Sequence, residues 1–178
     1  TDNMEFNNGL MEIKAGFAGI FTHEGKCVIN DGILKIGQAS GCADLLWGIS
    51  VFDQAQLHIH GGDVQIYGKE EAIGGAIRAD EAIDKKVIID GGHLELTGTA
   101  AMAIYTQLDL TSKVNEQTIP ALDNIIQIDP AVKGAEHLEM QRVKKVLNYN
   151  DEDYVQYVYG FYQDGELASN VMLTSEQE

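Results

Sequence analysis

The chain has 178 residues, and its 28 acidic residues outnumber its 12 basic ones to give a net charge of −16. So acidic a surface repels phosphate, which makes nucleic acid a poor partner, and no apolar run approaches the ~20 residues that a membrane span needs. A hydrophobic content of 44% favours a folded chain of one domain, or one solenoid with a terminal cap.

A pattern recurs along the first hundred residues, with a glycine at its centre. The copies are FNNGLMEI (6–13), VINDGILKI (28–36), HIHGGDVQI (58–66) and IIDGGHLEL (88–96). Their glycines are separated by 23, 30 and 30 residues, and a fixed period of this kind is typical of repeat architectures. Apolar residues alternate on both sides of each glycine, which predicts two short strands joined by a sharp turn.

A second signal recurs between successive glycines, at GIF (19–21), GIS (48–50) and AIR (76–78), and once more after the last of them, at AIY (103–105). It predicts a third strand in every repeat. Three short strands per turn, each beside its equivalent in the next repeat, form a parallel β-helix. We therefore predict an all-β fold with about four coils over residues 1–106, the first of them partial.

The remainder, residues 107–178, is predicted to hold a last strand and a capping segment. Residues 125–129 repeat the apolar phase and end at Pro130, which predicts a strand on the growing end. Residues 134–147 favour a short helix, although they also alternate. Two β-prone runs flank Asp164-Gly165, which predicts a β-hairpin.

The glycine corner, its two strands and the separate GI-x strand together resemble the right-handed parallel β-helix of the pectate-lyase-like superfamily. They are more closely similar to repeats of bacterial extracellular proteins labelled carbohydrate-binding, whose coils read GI-x-A…ITISGG-x-V-x-V. The resemblance covers about residues 1–106 and implies fold more than activity. Enzymes of that superfamily keep acidic, calcium-binding and arginine residues on the outer face of the strand equivalent to GI-x. Here that row reads Phe21, Ser50, Arg78, Tyr105, so their catalytic constellation is not carried over.

We therefore expect a non-catalytic bacterial module, extracellular or on the cell surface, that binds polysaccharide or serves as a structural spacer. The opening residues lack signal-peptide character, and the chain starts inside a repeat, which favours a piece of a longer secreted protein. One alternative is a small polysaccharide lyase or glycoside hydrolase acting on a uronate-containing glycan. Another is a domain that self-associates into a homo-oligomer through the open end of the solenoid.

Flat aromatic rings beside planar polar groups are what a sugar-binding face requires. The predicted outward row supplies Phe21, Arg78 and Tyr105, with Trp47 close by in the preceding loop. These four residues are our candidate glycan contacts. Packing within the cap or ordinary strand propensity would account for the same aromatic residues.

Outward rows at the glycine corner also bring histidine beside aspartate. The alternation predicts that His60 neighbours Asp90 and that Asp63 neighbours His93, about 4.8 Å away on the next coil. These four residues could hold a divalent metal or supply an oriented general base. Polar pairing at a solvated corner is the structural alternative.

No cofactor motif occurs in the sequence, although calcium is a possible ligand. The oxygen-rich stretch NYNDEDY (148–154) offers ligands of the kind calcium prefers, but it lacks the glycine and glutamate spacing of an EF-hand loop. The two cysteines, Cys27 and Cys42, define no disulfide framework and leave the redox compartment open.

Overall fold

The computed structural model describes residues 3–14, 18–37, 47–67, 77–79, 84–98, 103–105, 122–136, 138–149 and 152–175. Within these ranges almost every element is a strand, and the helix there, α1 (Leu122–Ile125), is one turn long. The prediction of an all-β fold is confirmed. Within the same ranges no helix has the length and apolar character needed to cross a membrane.

The strands are numbered in chain order. Those of the repeats are β1 (Met4–Phe6), β2 (Leu10–Ile13), β3 (Ala18–Thr22), β4 (Lys26–Ile29), β5 (Ile33–Gly37), β6 (Trp47–Val51), β7 (Gln56–Ile59), β8 (Asp63–Tyr67), β9 (Ile77–Ala79), β10 (Val87–Ile89), β11 (His93–Thr97) and β12 (Ala103–Tyr105). Those that follow are β13 (Ile126–Ile128), β14 (Val132–Lys133), β15 (Glu139–Tyr149), β16 (Glu152–Gln163), β17 (Glu166–Leu167) and β18 (Asn170–Ser175).

Strands of successive repeats lie side by side in a parallel sheet, which we call the first ladder. Its order is β1, β4, β7, β10, β13, so β13 adds the last strand that the sequence predicted. The register aligns Phe6, Ile29, Ile59, Ile89 and Ile128, one residue from each strand. The first four of these side chains are buried, so each repeat contributes one member to a column of apolar side chains.

The second ladder consists of β2, β5, β8 and β11, all parallel. It aligns Leu34, Val64 and Leu94, which are fully buried. Beyond β11 the direction changes, because β18 pairs with β11 in the antiparallel sense and β14 then pairs with β18. Two aliphatic side chains of β18, Val171 and Leu173, are buried against the core.

The third ladder consists of β3, β6 and β9, again parallel, with Ile20, Ile49 and Ile77 in register and buried. β12 contacts β9 and pairs antiparallel with β16, which pairs in turn with β15 and β17. The described part of the chain therefore combines three parallel ladders from the repeats with antiparallel strands from the C-terminal segment.

Glycines make the sharp corner between the first and second ladders. Gly32, Gly62 and Gly92 adopt φ values of 95°, 80° and 78°, a region that residues with a Cβ atom rarely enter. The corners are also joined to one another, since Asp63 N donates to Gly32 O and His93 N donates to Gly62 O, both at 2.8 Å. Equivalent corners therefore stack directly on each other.

Cys27 lies in the first ladder, where its side chain is fully buried. Burial raises the pKa of this thiol to about 11, because the thiolate would lose its hydration. At neutral pH the sulfur stays protonated and behaves as a small apolar core side chain. Cys42 falls outside the described residues.

The helix predicted over 134–147 is wrong, because residues 139–149 form strand β15. β15 pairs antiparallel with β16 along its whole length, from Glu139 with Tyr162 to Tyr149 with Glu152. The apolar residues of this segment fit both a helical and an alternating pattern, and the long antiparallel partner decides between them. The helical turn α1 lies earlier in the chain, at 122–125.

The hairpin predicted around Asp164-Gly165 is confirmed. β16 and β17 pair through Tyr162 with Leu167 and Gln163 with Glu166, which leaves a two-residue turn. Asp164 and Gly165 have φ values of 54° and 86°. Positive φ at both central residues is the geometry that matches the twist of the flanking strands.

Candidate functional site

Two histidines lie on the outward side of the first ladder, His58 within β7 and His60 directly after its end. Ile59 is fully buried, and His58 and His60 alternate with it, so they point the opposite way. His60 N donates to Ile29 O of the preceding repeat at 2.8 Å, which fixes the backbone at this position. The side chain of His58 is 20% exposed and that of His60 is 43% exposed, so His60 is the more accessible ring.

Asp90, at the equivalent position of the next repeat, joins the two rings. His60 Nδ1 lies 2.7 Å from Asp90 Oδ1, and His58 Nε2 lies 2.9 Å from Asp90 Oδ2. The carboxylate therefore accepts an N–H from each imidazole. The ring centroids of His58 and His60 are 3.6 Å apart. These three side chains, which we call the His-Asp cluster, form one compact polar group.

The sequence predicted the pair His60 and Asp90, and the structure brings these two residues together. It did not single out His58, which lies opposite Ile88 in the register and reaches Asp90 diagonally. The signal was present, because His58 and His60 are two residues apart in the alternating pattern of the sequence and therefore share a face.

The second predicted pair behaves differently. Asp63 and His93 are register partners on β8 and β11, as the repeat predicted. The carboxylate of Asp63 instead accepts from Gln65 Nε2, at 3.1 and 3.3 Å from its two oxygens. Among the residues that the structure describes, no hydrogen bond or ion pair joins Asp63 to His93. The two predicted pairs therefore differ. His60 and Asp90 interact directly, whereas Asp63 and His93 are only neighbours in the register.

An open groove of about 480 Å³ lies beside the His-Asp cluster. Asp90 belongs to both features. Four of its lining residues are apolar and three are polar: Ile88, Asp90, Ile126, Gln127, Ile128, Asp129 and Met140. Any group bound at Asp90 would therefore have this concave surface next to it.

A second feature is a surface cluster of rings, which we call the aromatic patch: Phe21 and His23, which are exposed, and Phe52, which is half-buried. The centroids of Phe21 and Phe52 are 4.5 Å apart, and those of His23 and Phe52 are 5.8 Å apart with the planes 17° from parallel. Phe21 is 52% exposed, although it is one of the large apolar residues. Asp53 adds a polar edge, because its Oδ2 lies 2.9 Å from His23 Nδ1.

The backbone beneath the aromatic patch is held by Lys86. This side chain is fully buried, and its Nζ donates to the backbone oxygen of Asp53 at 2.6 Å. Asp53 itself has a φ of 43°, which turns the chain away from β6. Phe52 N donates to Thr22 O at 2.9 Å, so the segment is also tied to β3. The patch is therefore set on fixed backbone.

The predicted glycan contacts are placed in part. Phe21 is exposed within the aromatic patch, and the third ladder aligns it with Ser50 and Arg78. Trp47 is the first residue of β6 and not part of a loop, which corrects that expectation. Tyr105 ends β12 and pairs with Val158. The side chains of Trp47, Arg78 and Tyr105 lie outside what the structure describes.

Ser50 was expected to lie on the outer surface, and that expectation is wrong. The residue is fully buried, and its hydroxyl oxygen has no hydrogen-bond partner among the described residues. A short polar side chain on the outward side of a strand can be covered by its neighbours, whereas Phe21 in the same row is long enough to stay exposed.

The side chains of the oxygen-rich stretch considered for calcium, residues 148–154, lie outside the described residues. Within β16, Tyr162 is buried, and burial raises the pKa of its phenol. Phe161 is buried beside the core as well. Both side chains therefore pack inward.

Comparison with known proteins adds no relative, because no protein-family model, no curated protein and no solved structure matches this chain.

Proposed function

We propose that this chain is a non-catalytic binding module of an extracellular or cell-surface protein, which holds a polysaccharide strand on its aromatic patch. The observation that carries the proposal is the pair of rings formed by exposed Phe21 and half-buried Phe52, set 4.5 Å apart beside the polar edge of His23 and Asp53. Apolar rings next to hydrogen-bonding groups suit the apolar face and hydroxyl edge of a sugar.

We infer that the scaffold of this module is a right-handed parallel β-helix with a C-terminal cap. The support is the order of the three ladders, in which each strand pairs with its equivalent about thirty residues away. Crossovers between parallel strands are right-handed in about 98% of cases. The proposed cap comes from the C-terminal segment, which adds β13, β18 and β16 to the last strand of each series, at β10, β11 and β12.

The charge of the chain favours a neutral glycan over a uronate. The net charge is −16, and Asp53 lies directly at the edge of the aromatic patch. An anionic polymer would meet like charge there, whereas the ammonium group of Lys86 beneath the patch is buried and bonded to the backbone oxygen of Asp53. The paired residues of β3, β6 and β9 include no aspartate or glutamate, so acid-base cleavage on this face has no paired carboxylates to support it.

The test is a glycan array of neutral and uronate-containing polysaccharides, read with and without calcium, followed by titration of the best binder. We expect binding to neutral glycans. The affinity should fall by about tenfold or more in Phe21→Ala and in Phe52→Ala. Leu10→Ala is the matched control, because Leu10 is a 62% exposed apolar residue outside the patch.

Two results would count against the proposal: an array without hits in either condition, or Phe21→Ala and Phe52→Ala variants that bind as tightly as the wild type. The first result would leave the role of a structural spacer. Circular dichroism of each variant separates lost binding from lost folding. Arg78→Ala and Tyr105→Ala extend the series to the other predicted contacts.

A further inference from the structure

We propose that the His-Asp cluster is a binding site for one divalent transition-metal ion of the zinc class. The proposal does not depend on glycan binding. It rests on three side chains, His58, His60 and Asp90, whose ligand atoms all lie within 4.8 Å of one another. Two imidazole nitrogens and one carboxylate oxygen form a donor set that zinc sites commonly use.

The distances are close to those of an occupied site. At Zn–N and Zn–O bond lengths near 2.0–2.1 Å, the ligand atoms of a tetrahedral site lie about 3.3 Å apart. Asp90 is already 2.7 and 2.9 Å from the nitrogens of His60 and His58. Small rotations of three side chains would therefore make room for an ion at the point where the hydrogen bonds now meet.

The backbone beneath the cluster is fixed in advance. Asp90 N donates to Ile59 O at 3.0 Å, and His60 N donates to Ile29 O at 2.8 Å, so both strands are held in register. His58 lies within β7, between Leu57 and Ile59, which are fully buried. A site on paired strands loses little backbone entropy when it takes up an ion.

The chemistry of the donors selects the metal. Imidazole nitrogen suits zinc, cobalt, nickel and copper, whereas calcium and magnesium favour sites made of oxygen alone. Three protein ligands leave at least one coordination position open. Asp90 also lines the groove described above, so that position is available to water or to an oxygen atom of a molecule bound there.

The competing explanation is that these side chains only hydrogen-bond to one another and bind no metal. The equivalent positions of the earlier repeats show such an arrangement. In the two preceding repeats Asn30 Nδ2 donates to Asn7 Oδ1 at 2.6 Å, a pair that cannot bind a transition metal strongly. The His-Asp cluster differs because it gathers three ligand side chains where the asparagine row has a single hydrogen bond.

The experiment uses tag-free protein stripped of metal, titrated with Zn²⁺ by calorimetry and with Co²⁺ by visible absorption. We expect one equivalent to bind per chain. His58→Ala and His60→Ala should each lower the affinity by about 100-fold or more, because even the outer partners of metal ligands are worth 10–100-fold. His93→Ala is the matched control, since His93 lies on the neighbouring ladder without a bond to Asp63.

Binding should also weaken from pH 7 to pH 5, because protons compete with the metal for imidazole nitrogen. The proposal is overturned if wild-type protein binds Zn²⁺ no more tightly than the His58→Ala/His60→Ala double variant, or if His93→Ala reduces binding as much as either ligand variant. Melting temperatures of the metal-free proteins, measured alongside, show whether each variant is folded.

Discussion

At the scale of single residues, the glycines carry most of the information that the sequence offers. Their spacing predicted the positions where Gly32, Gly62 and Gly92 turn the chain, and the structure gives all three a positive φ. The same alignment placed His60 beside Asp90. It could not show that Asp63 prefers Gln65 over His93, because the repeat fixes backbone positions whereas side-chain rotamers depend on local partners.

Gly9 and Gly92 occupy equivalent corners and provide a matched comparison. Both have positive φ, 92° and 78°. A Cβ atom at Gly9 would meet nothing within 4 Å, whereas at Gly92 it would lie 2.6 Å from the carbonyl carbon of Gly61. Gly9→Ala should therefore cost about 1–2 kcal/mol, and Gly92→Ala about 1–3 kcal/mol more. Urea denaturation measures both values, and equal costs would contradict the stacking of corners.

At the scale of elements, the strands with a strict period were predictable and the long hairpin was not. The first and second ladders follow an alternation that repeats at fixed intervals, so each copy supports the others. β15 occurs once, and its apolar spacing suits a helix as well as a strand. Its conformation depends on pairing with β16, a partner that local pattern does not specify.

β18 offers a test of how the C-terminal segment contributes to stability. Leu173 is fully buried and pairs with Leu94, whereas Met172 on the opposite face is 55% exposed. Leu173→Ala should lower the free energy of unfolding by about 2–5 kcal/mol, because it leaves a cavity beside the last strand of the second ladder. Met172→Ala should change it by no more than about 0.5 kcal/mol.

The measurement is the midpoint of urea unfolding for the two variants and the wild type. Similar midpoints for Leu173→Ala and the wild type would mean that β18 does not pack against the hydrophobic core. A large effect of Met172→Ala would mean that the two faces of the strand are exchanged.

At the scale of the whole molecule, both candidate sites follow from one arrangement. Parallel pairing between repeats brings side chains that are about thirty residues apart in sequence into neighbouring positions. It places Asp90 against His58 and His60, and it places Phe52 next to Phe21. The sequence predicted this arrangement from the period of its glycines. It did not predict the aromatic patch, because Phe52 and His23 lie just past the repeated strands.

The central claim is therefore that backbone hydrogen bonds join each repeat to the equivalent strands of the next repeat. Scalar couplings across hydrogen bonds, measured by NMR on deuterated protein, test it most directly. We predict couplings from His60 N to Ile29 C=O, from Asp90 N to Ile59 C=O and from Asp129 N to Ile89 C=O, the bonds of 2.8, 3.0 and 2.9 Å. Couplings from these amides to other carbonyls, or amide exchange as fast as in an unstructured peptide, would contradict the account.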